Sequence, residues 1–135
     1  MFLLDTNVVS ELRRAKPHGG VVAWIENVAD AVLHLSAVTI GEIQAGIEIT
    51  REQDKAKADE LQIWLNHLAE TYNVLPMDSV TFREWARLMH RKSDTLYEDA
   101  MIAATARVHK LTVVTRNVAD FKAFKVPLVN PFAKK

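Results

Sequence analysis

The chain contains no cysteine. Disulfides, thiolate metal sites and cysteine nucleophiles are therefore excluded, and the composition fits a reducing compartment. Net charge is also missing, because 17 basic residues are balanced by 17 acidic ones. Nothing global marks a nucleic-acid binder, so any such binding must come from a local patch. Long apolar runs are absent at the start: Phe2-Leu3-Leu4 stops at Asp5 with no basic stretch before it. That opening reads as neither a signal peptide nor a membrane span, and the expectation is a cytoplasmic protein. Repeats, low-complexity segments and linkers are lacking too. What remains is ordinary globular material, 49% hydrophobic and 25% charged over 135 residues. That length suits one domain, spanning 1–135, with a sizeable buried core.

Strand-like and helix-like spacing alternate along the chain. Residues 2–4 read as a short buried strand and 7–14 as a short helix, broken at Lys16-Pro17-His18-Gly19-Gly20. Residues 20–29 carry Val21, Trp24, Ile25 and Val28 on one helical face. Residues 32–38 predict a second strand, and Thr39 starts a helix with Ile40, Ile43 and Ile47 inward. Residues 51–72 predict one long charged helix with a stripe of Leu61, Trp64, Leu65 and Leu68. A third strand is expected at 74–76, then a helix over 79–92 with Phe82, Trp85, Ala86 and Met89 as its core face. An alanine-rich helix at 98–109, a strand at 112–115, a short helix at 118–124 and a fifth strand at 126–129 complete the series. Pro127 suggests an edge position for that last strand. Such alternation argues for a parallel sheet covered by helices.

Four acids, Asp5, Glu42, Asp99 and Asp120, sit where an apolar segment ends or a helix begins. In a parallel α/β sheet, ligands bind outside the carboxyl ends of the strands. If the segments pair side by side, these carboxylates converge on one pocket. Carboxylates about 4 Å apart repel by roughly 4 kcal/mol per pair at an effective dielectric of about 20. Such a cluster persists only when protonated or holding a cation, and hard oxygen ligands suit Mg²⁺ or Mn²⁺.

Each acid also has a local explanation. Asp5 precedes a helix and can cap it. Thr39 and Glu42 stand at capping-box spacing, while Gly41 between them is unusual in a helix and would allow close approach of another backbone. Glu98 and Asp99 suit a helix N-terminus, but an Asp99 on the inner side of that helix needs a partner, either a cation or Arg116. Thr115 and Asn117 can cap the short helix that carries Asp120, and Asp120 either completes the cluster or faces solvent. Thr6 and Asn7 are placed to hydrogen-bond the carboxylates.

Other chemistries find no footing. The five histidines make no metal spacing, Gly19-Gly20 lacks the Lys-Ser/Thr of a phosphate loop, and Ser36 sits in no nucleophile elbow. A phospho-accepting receiver domain would need an acid beside Asp5 and a lysine ending a late strand. Here Lys125 precedes its strand instead.

Taken together, Phe2-Leu3-Leu4-Asp5-Thr6-Asn7-Val8-Val9-Ser10-Glu11, Ser36-Ala37-Val38-Thr39-Ile40-Gly41-Glu42, Glu98-Asp99-Ala100-Met101-Ile102-Ala103-Ala104-Thr105 and Val114-Thr115-Arg116-Asn117-Val118-Ala119-Asp120-Phe121 follow one another as in PIN-domain proteins. The resemblance runs from residue 1 to about Pro131. Within that family the chain resembles the VapC- and FitB-type toxins of bacterial type II toxin–antitoxin pairs. It implies a three-layer α/β/α fold with a central parallel sheet of four to five strands, and a Mg²⁺- or Mn²⁺-dependent endoribonuclease. Carried over residue by residue, Asp5, Glu42 and Asp99 match the family's metal-binding and catalytic acids, and Asp120 matches a fourth that varies more. Thr6, with Thr115 or Asn117, matches polar neighbours that orient water or metal. The resemblance further implies a homodimer held by a cognate antitoxin, often DNA-binding. Substrate contact calls for positive charge, and Arg13, Arg14 and Arg116 are the candidates for RNA phosphates, with Lys16 and the stretch Arg87, His90, Arg91 and Lys92 as further basic residues. The alternative is a PIN-like module without catalysis that acts through a partner protein.

Overall fold

Leu3 and Leu4 are both fully buried although neighbouring strand residues point to opposite faces. They belong to the central strand of a sheet covered on both sides. In this computed structural model, which describes residues 1–133, that strand is β1 (Phe2–Leu4). It pairs in parallel with β2 (Leu33–Ser36) on one side and β4 (Thr112–Val114) on the other. β3 (Asn73–Leu75) flanks β2, and β5 (Leu128–Val129) flanks β4. The order β3-β2-β1-β4-β5 makes β5 the edge that Pro127 suggested. The chain winds outward from β1 through β2 and β3, then returns to β1's other side. The topological switch point, where open α/β sheets bind ligands, therefore lies between β1 and β4. A receiver domain has strand order 2-1-3-4-5, so that rival is excluded.

Among the described residues, seven α-helices cover the sheet: α1 (Thr6–Glu11), α2 (Gly19–Glu26), α3 (Ala37–Arg51), α4 (Lys55–Thr71), α5 (Ser79–Met89), α6 (Tyr97–His109) and α7 (Val118–Lys122). Leu4 sends one face of β1 into a core with Val8, Val9, Val21, Leu35, Ile47, Leu65 and Leu68. Leu3 sends the other into a second core with Ala100, Ala103, Phe121 and Phe124. The alanines of α6 leave no bulk between helix and sheet, so its first turn is held close to the strand ends. The C-terminal segment also approaches closely. A Cβ on Gly20 would lie 2.6 Å from the Pro131 carbonyl oxygen, so only glycine fits there. Among the described residues, no helix is long and apolar enough to cross a membrane.

The helices expected over 7–14, 20–29 and 79–92 end early, at Glu11, Glu26 and Met89, and three larger expectations change. β2 stops at Ser36 because the Ser36 side chain turns to cap α3, accepting from the Val38 N–H at 3.1 Å. The single charged helix over 51–72 is two segments. α3 runs on to Arg51, and Asp54, in extended conformation, restarts the chain by accepting from the Lys57 N–H at 3.0 Å. The mixed charges lace this hairpin, Arg51 reaching Asp59 at 2.8 Å and Glu48 at 3.1 Å. The face of α5 is also rotated. Thr81 is buried, Trp85, Leu88 and Met89 pack on the second core, and Phe82 is 43% exposed with Ala86 outside. The Trp85 indole N–H donates to the Tyr97 carbonyl at 3.1 Å, which turns this helix toward α6.

Candidate active site

Asp5 is the first residue after the central strand, and its backbone N–H still bonds the Val114 carbonyl at 2.9 Å. It is buried at the switch point with only 5% exposure. Its Oδ1 accepts from the Thr6 N–H at 2.8 Å, so it does cap α1. Its Oδ2 accepts from the Thr115 hydroxyl at 2.8 Å and from the Asn7 amide at 3.2 Å. Capping and site membership are thus not alternatives: one oxygen serves the helix and the other faces β4. Asn7 Oδ1 accepts from the Arg116 N–H at 3.2 Å, and the Thr115 hydroxyl accepts from the Asn117 N–H at 2.9 Å. Those bonds tie the turn after β4 to the turn after β1. Burial is the largest influence on Asp5 and raises its pKa. The three hydrogen bonds act the other way, and the charge of Asp120 adds a further upward push.

Glu42 reaches the same crevice from α3. The expected Thr39–Glu42 capping box is not formed, because Ser36 already caps this helix. Thr39 is instead fully buried with its hydroxyl 3.0 Å from that of Thr6. Thr6 in turn donates to Glu42 Oε1 at 3.0 Å. Gly41 allows no close approach either, since a Cβ there would meet nothing within 4 Å. Burial, then hydrogen bonding with and repulsion from Glu98, raises Glu42 to about 7. Asp99, in the first turn of α6, is raised to about 6, first by burial and then by Asp5, Asp120 and Glu98.

Five carboxylates therefore sense one another across the switch point: Asp5, Glu42, Glu98, Asp99 and Asp120. Glu98 is the one that sequence reasoning assigned to the helix dipole alone. Its signal was adjacency to Asp99, which only the packing of α6 beside α3 turns into proximity to Glu42. Asp120 is exposed on α7, yet its charge is felt at both Asp5 and Asp99. Asn117 enters through its backbone N–H and makes no side-chain cap to α7.

No cation of the chain neutralises this cluster among the described residues. Arg116, the expected partner for Asp99, lies over the Phe132 ring at 4.7 Å. Arg14 pairs with Glu11 at 3.4 Å, and Arg13 reaches Glu60 at 3.7 Å. Nor do any three of the acids, among the described residues, already surround one point as a closed cage. An all-oxygen, anionic, loosely gathered donor set of this kind fits a hard divalent ion that keeps several of its waters, as Mg²⁺ does.

The chain matches the PIN domain family over residues 2–126. It is 33% identical to Toxin FitB of Neisseria gonorrhoeae over 138 residues, covering 98% of this chain and 99% of that protein. It is 34% identical to a VapC ribonuclease of Sinorhizobium fredii over 143 residues, covering 98% of each. Among solved structures it resembles FitAcB from N. gonorrhoeae, with TM-score 0.87, 32% identity and 98% and 99% of the two chains covered. It also resembles FitAB bound to a DNA fragment, with TM-score 0.78, 31% identity and 100% and 98% covered. A parallel five-stranded sheet with acids gathered at its switch point, and likeness to these proteins along nearly the whole chain, place this protein in the PIN domain family.

Proposed function

We propose that this chain is a divalent-metal-dependent endoribonuclease, the toxin of a type II toxin–antitoxin pair. The carrying observation is the cluster itself: Asp5, Glu42 and Asp99 meet at the switch point with raised pKa values and no cation of the chain beside them. The ribonuclease and toxin names of the full-length relatives support the reading.

Asp5, Glu42 and Asp99 are the residues that would hold Mg²⁺ or Mn²⁺, with Asp120 as a fourth acid at the rim. When bound, the ion supplies Lewis acidity and lowers the pKa of water beside the phosphodiester. The chain's own work is positioning. Thr115 and Asn7 fix Oδ2 of Asp5, and Thr6 fixes Oε1 of Glu42, so neither carboxylate swings freely. With no ion present, Glu42 retains a proton up to about pH 7, which places it near the range useful for general acid–base work. Hydrolysis by activated water leaves a 5′-phosphate and a 3′-hydroxyl, and a 2′,3′-cyclic phosphate product would contradict it. The partner in this reading is a cognate antitoxin that binds DNA, in keeping with the DNA-bound FitAB structure. The active form is a homodimer.

The test is cleavage of a mixed RNA pool by the purified, antitoxin-free chain with Mg²⁺, Mn²⁺ or EDTA, beside Asp5→Asn prepared identically. Metal-dependent cleavage that the variant loses supports the proposal. Equal cleavage by both refutes the role of Asp5.

A further inference from the structure

Of the three arginines expected at RNA phosphates, Arg14 pairs with Glu11 and Arg13 reaches Glu60. Arg116 does neither. It is exposed, and among the described residues no carboxylate or carbonyl accepts from its guanidinium, which rests on the Phe132 ring 4.7 Å from the centroid. An arginine stacked by its face keeps the N–H donors in its plane free for a phosphate. The root of the side chain is fixed as well. The Arg116 N–H donates to Asn7 Oδ1 at 3.2 Å, and the Asn7 amide donates to Asp5 Oδ2 at 3.2 Å. Its neighbour Thr115 donates to Asp5 directly. The side chain therefore leaves from the edge of the acidic site and runs toward the segment after β5.

Phe132 is held from the other side. Its N–H donates to Asn130 Oδ1 at 2.9 Å, and its ring lies 5.3 Å from the His18 ring, tilted by 58°. His18 is anchored twice: its N–H donates to Glu11 Oε2 at 2.9 Å, and its Nδ1 accepts from the Gly20 N–H at 3.0 Å. Glu11 is itself buried. A column of contacts thus runs from Glu11 through His18 and Phe132 to Arg116, using a buried acid and a histidine that the acidic cluster does not. A free arginine samples many rotamers, and ordering it on binding costs affinity. Five carboxylates repel an approaching phosphate, so a cation already held beside them counts for more than one that must first be ordered. We propose that Phe132 is a positioning residue for RNA binding: it holds Arg116 ready to clamp a phosphate next to the scissile one. Phosphate contacts carry no base information, so the clamp supplies affinity and register, not sequence preference. This inference rests on the ribonuclease reading above.

The experiment uses a short RNA carrying the mapped cleavage site, with Mg²⁺, over a series of NaCl concentrations. KM and kcat are measured for the wild type, Arg116→Gln, Phe132→Leu, Phe132→Tyr and the double variant of Arg116→Gln with Phe132→Leu. Arg116→Gln should raise KM about 10-fold, the scale of a hydrogen bond to a charged group, and leave kcat nearly unchanged. It should also flatten the slope of log(kcat/KM) against log[NaCl] by about 0.7, one phosphate contact on a single strand. Phe132→Leu keeps the charge and the packing on the first core but removes the aromatic face. It should raise KM about 2–5-fold, the scale of an exposed cation–π contact. Phe132→Tyr keeps that face and should stay near the wild type. In the double variant Phe132→Leu should add nothing, because Arg116 is already gone. An equal effect of Phe132→Leu in both backgrounds would assign Phe132 to packing alone and overturn the proposal. So would Phe132→Tyr as impaired as Phe132→Leu, or a wild-type KM and salt slope in Arg116→Gln. A wild-type chain that neither binds nor cleaves RNA fails the ribonuclease reading itself, whereas wild-type cleavage with any of those three results removes only the clamp.

Discussion

The Thr115 hydroxyl donates to Asp5 at 2.8 Å and accepts from the Asn117 N–H at 2.9 Å. Both partners depend on it, and Thr115 is fully buried. Thr115→Val keeps the shape and removes the donor, leaving a buried carboxylate oxygen with one fewer bond. It should cost about 1–3 kcal/mol in urea denaturation, and stability equal to the wild type would show the bond to be dispensable. Glu42 and Asp99 give a second prediction. A carboxyl whose folded pKa is raised holds its proton more tightly in the native state. Stability therefore falls as pH rises between 4.5 and about 7 for Glu42, and between 3.8 and about 6 for Asp99. The melting temperature of the metal-free protein should drop from about pH 5 to about pH 8, and Glu42→Gln should flatten the drop. Parallel curves for the two would remove Glu42 as its source. Asp5 could be read from sequence because an apolar run ends on it at the first strand. Glu42 was obscured, since Thr39-x-x-Glu42 has the same spacing whether Thr39 caps the helix or is buried inside its first turn. Glu98 was hidden because its partner Glu42 stands on a different helix, and no local pattern records that meeting.

Helix α3 carries two glycines with open space around them, Gly41 and Gly46. Neither is demanded by a turn or a neighbour. Gly41→Ala should raise stability by up to about 1 kcal/mol through helix propensity. A loss on thermal or urea melting would reveal a close approach that the structure does not contain. Helix faces are harder to read than helices. The expected stripe through Phe82, Trp85, Ala86 and Met89 and the observed one through Thr81, Trp85, Leu88 and Met89 share two residues, and their centres differ by less than one residue step. Packing against the second core decides between them, burying Thr81 and seating Leu88 while Phe82 stays exposed. Phe82→Ser should thus change stability by no more than about 0.5 kcal/mol, whereas Ile47→Ala, at 1% exposure, should cost about 2–5 kcal/mol. Comparable losses would return Phe82 to the core. The break at 52–54 was missed for a similar reason. Charged residues on both sides favour helix, and the interruption depends on Asp54 finding the Lys57 N–H.

At the scale of the molecule, the strand–helix alternation was enough to place the sheet and its parallel sense. It did not give the reversal of strand order that puts β4 beside β1. That reversal brings the candidate site together, and on the proposed reading it would make ion binding and folding one equilibrium. If these carboxylates hold the ion as proposed, protons and Mg²⁺ compete for them, so Mg²⁺ should increase the melting temperature more at about pH 8 than at about pH 5. Equal shifts at the two pH values would locate Mg²⁺ elsewhere. The hydrogen bond between Asp5 and Thr115 spans 110 residues of sequence. At a synthesis rate of about 5–20 residues per second, roughly 5–20 s separate the appearance of one partner from that of the other. During that interval the growing chain already carries Asp5 but has no fourth strand to hold it. A site built across such a span has a clock in its topology: it cannot assemble until the strand ending at Val114 has been made and has paired beside the first.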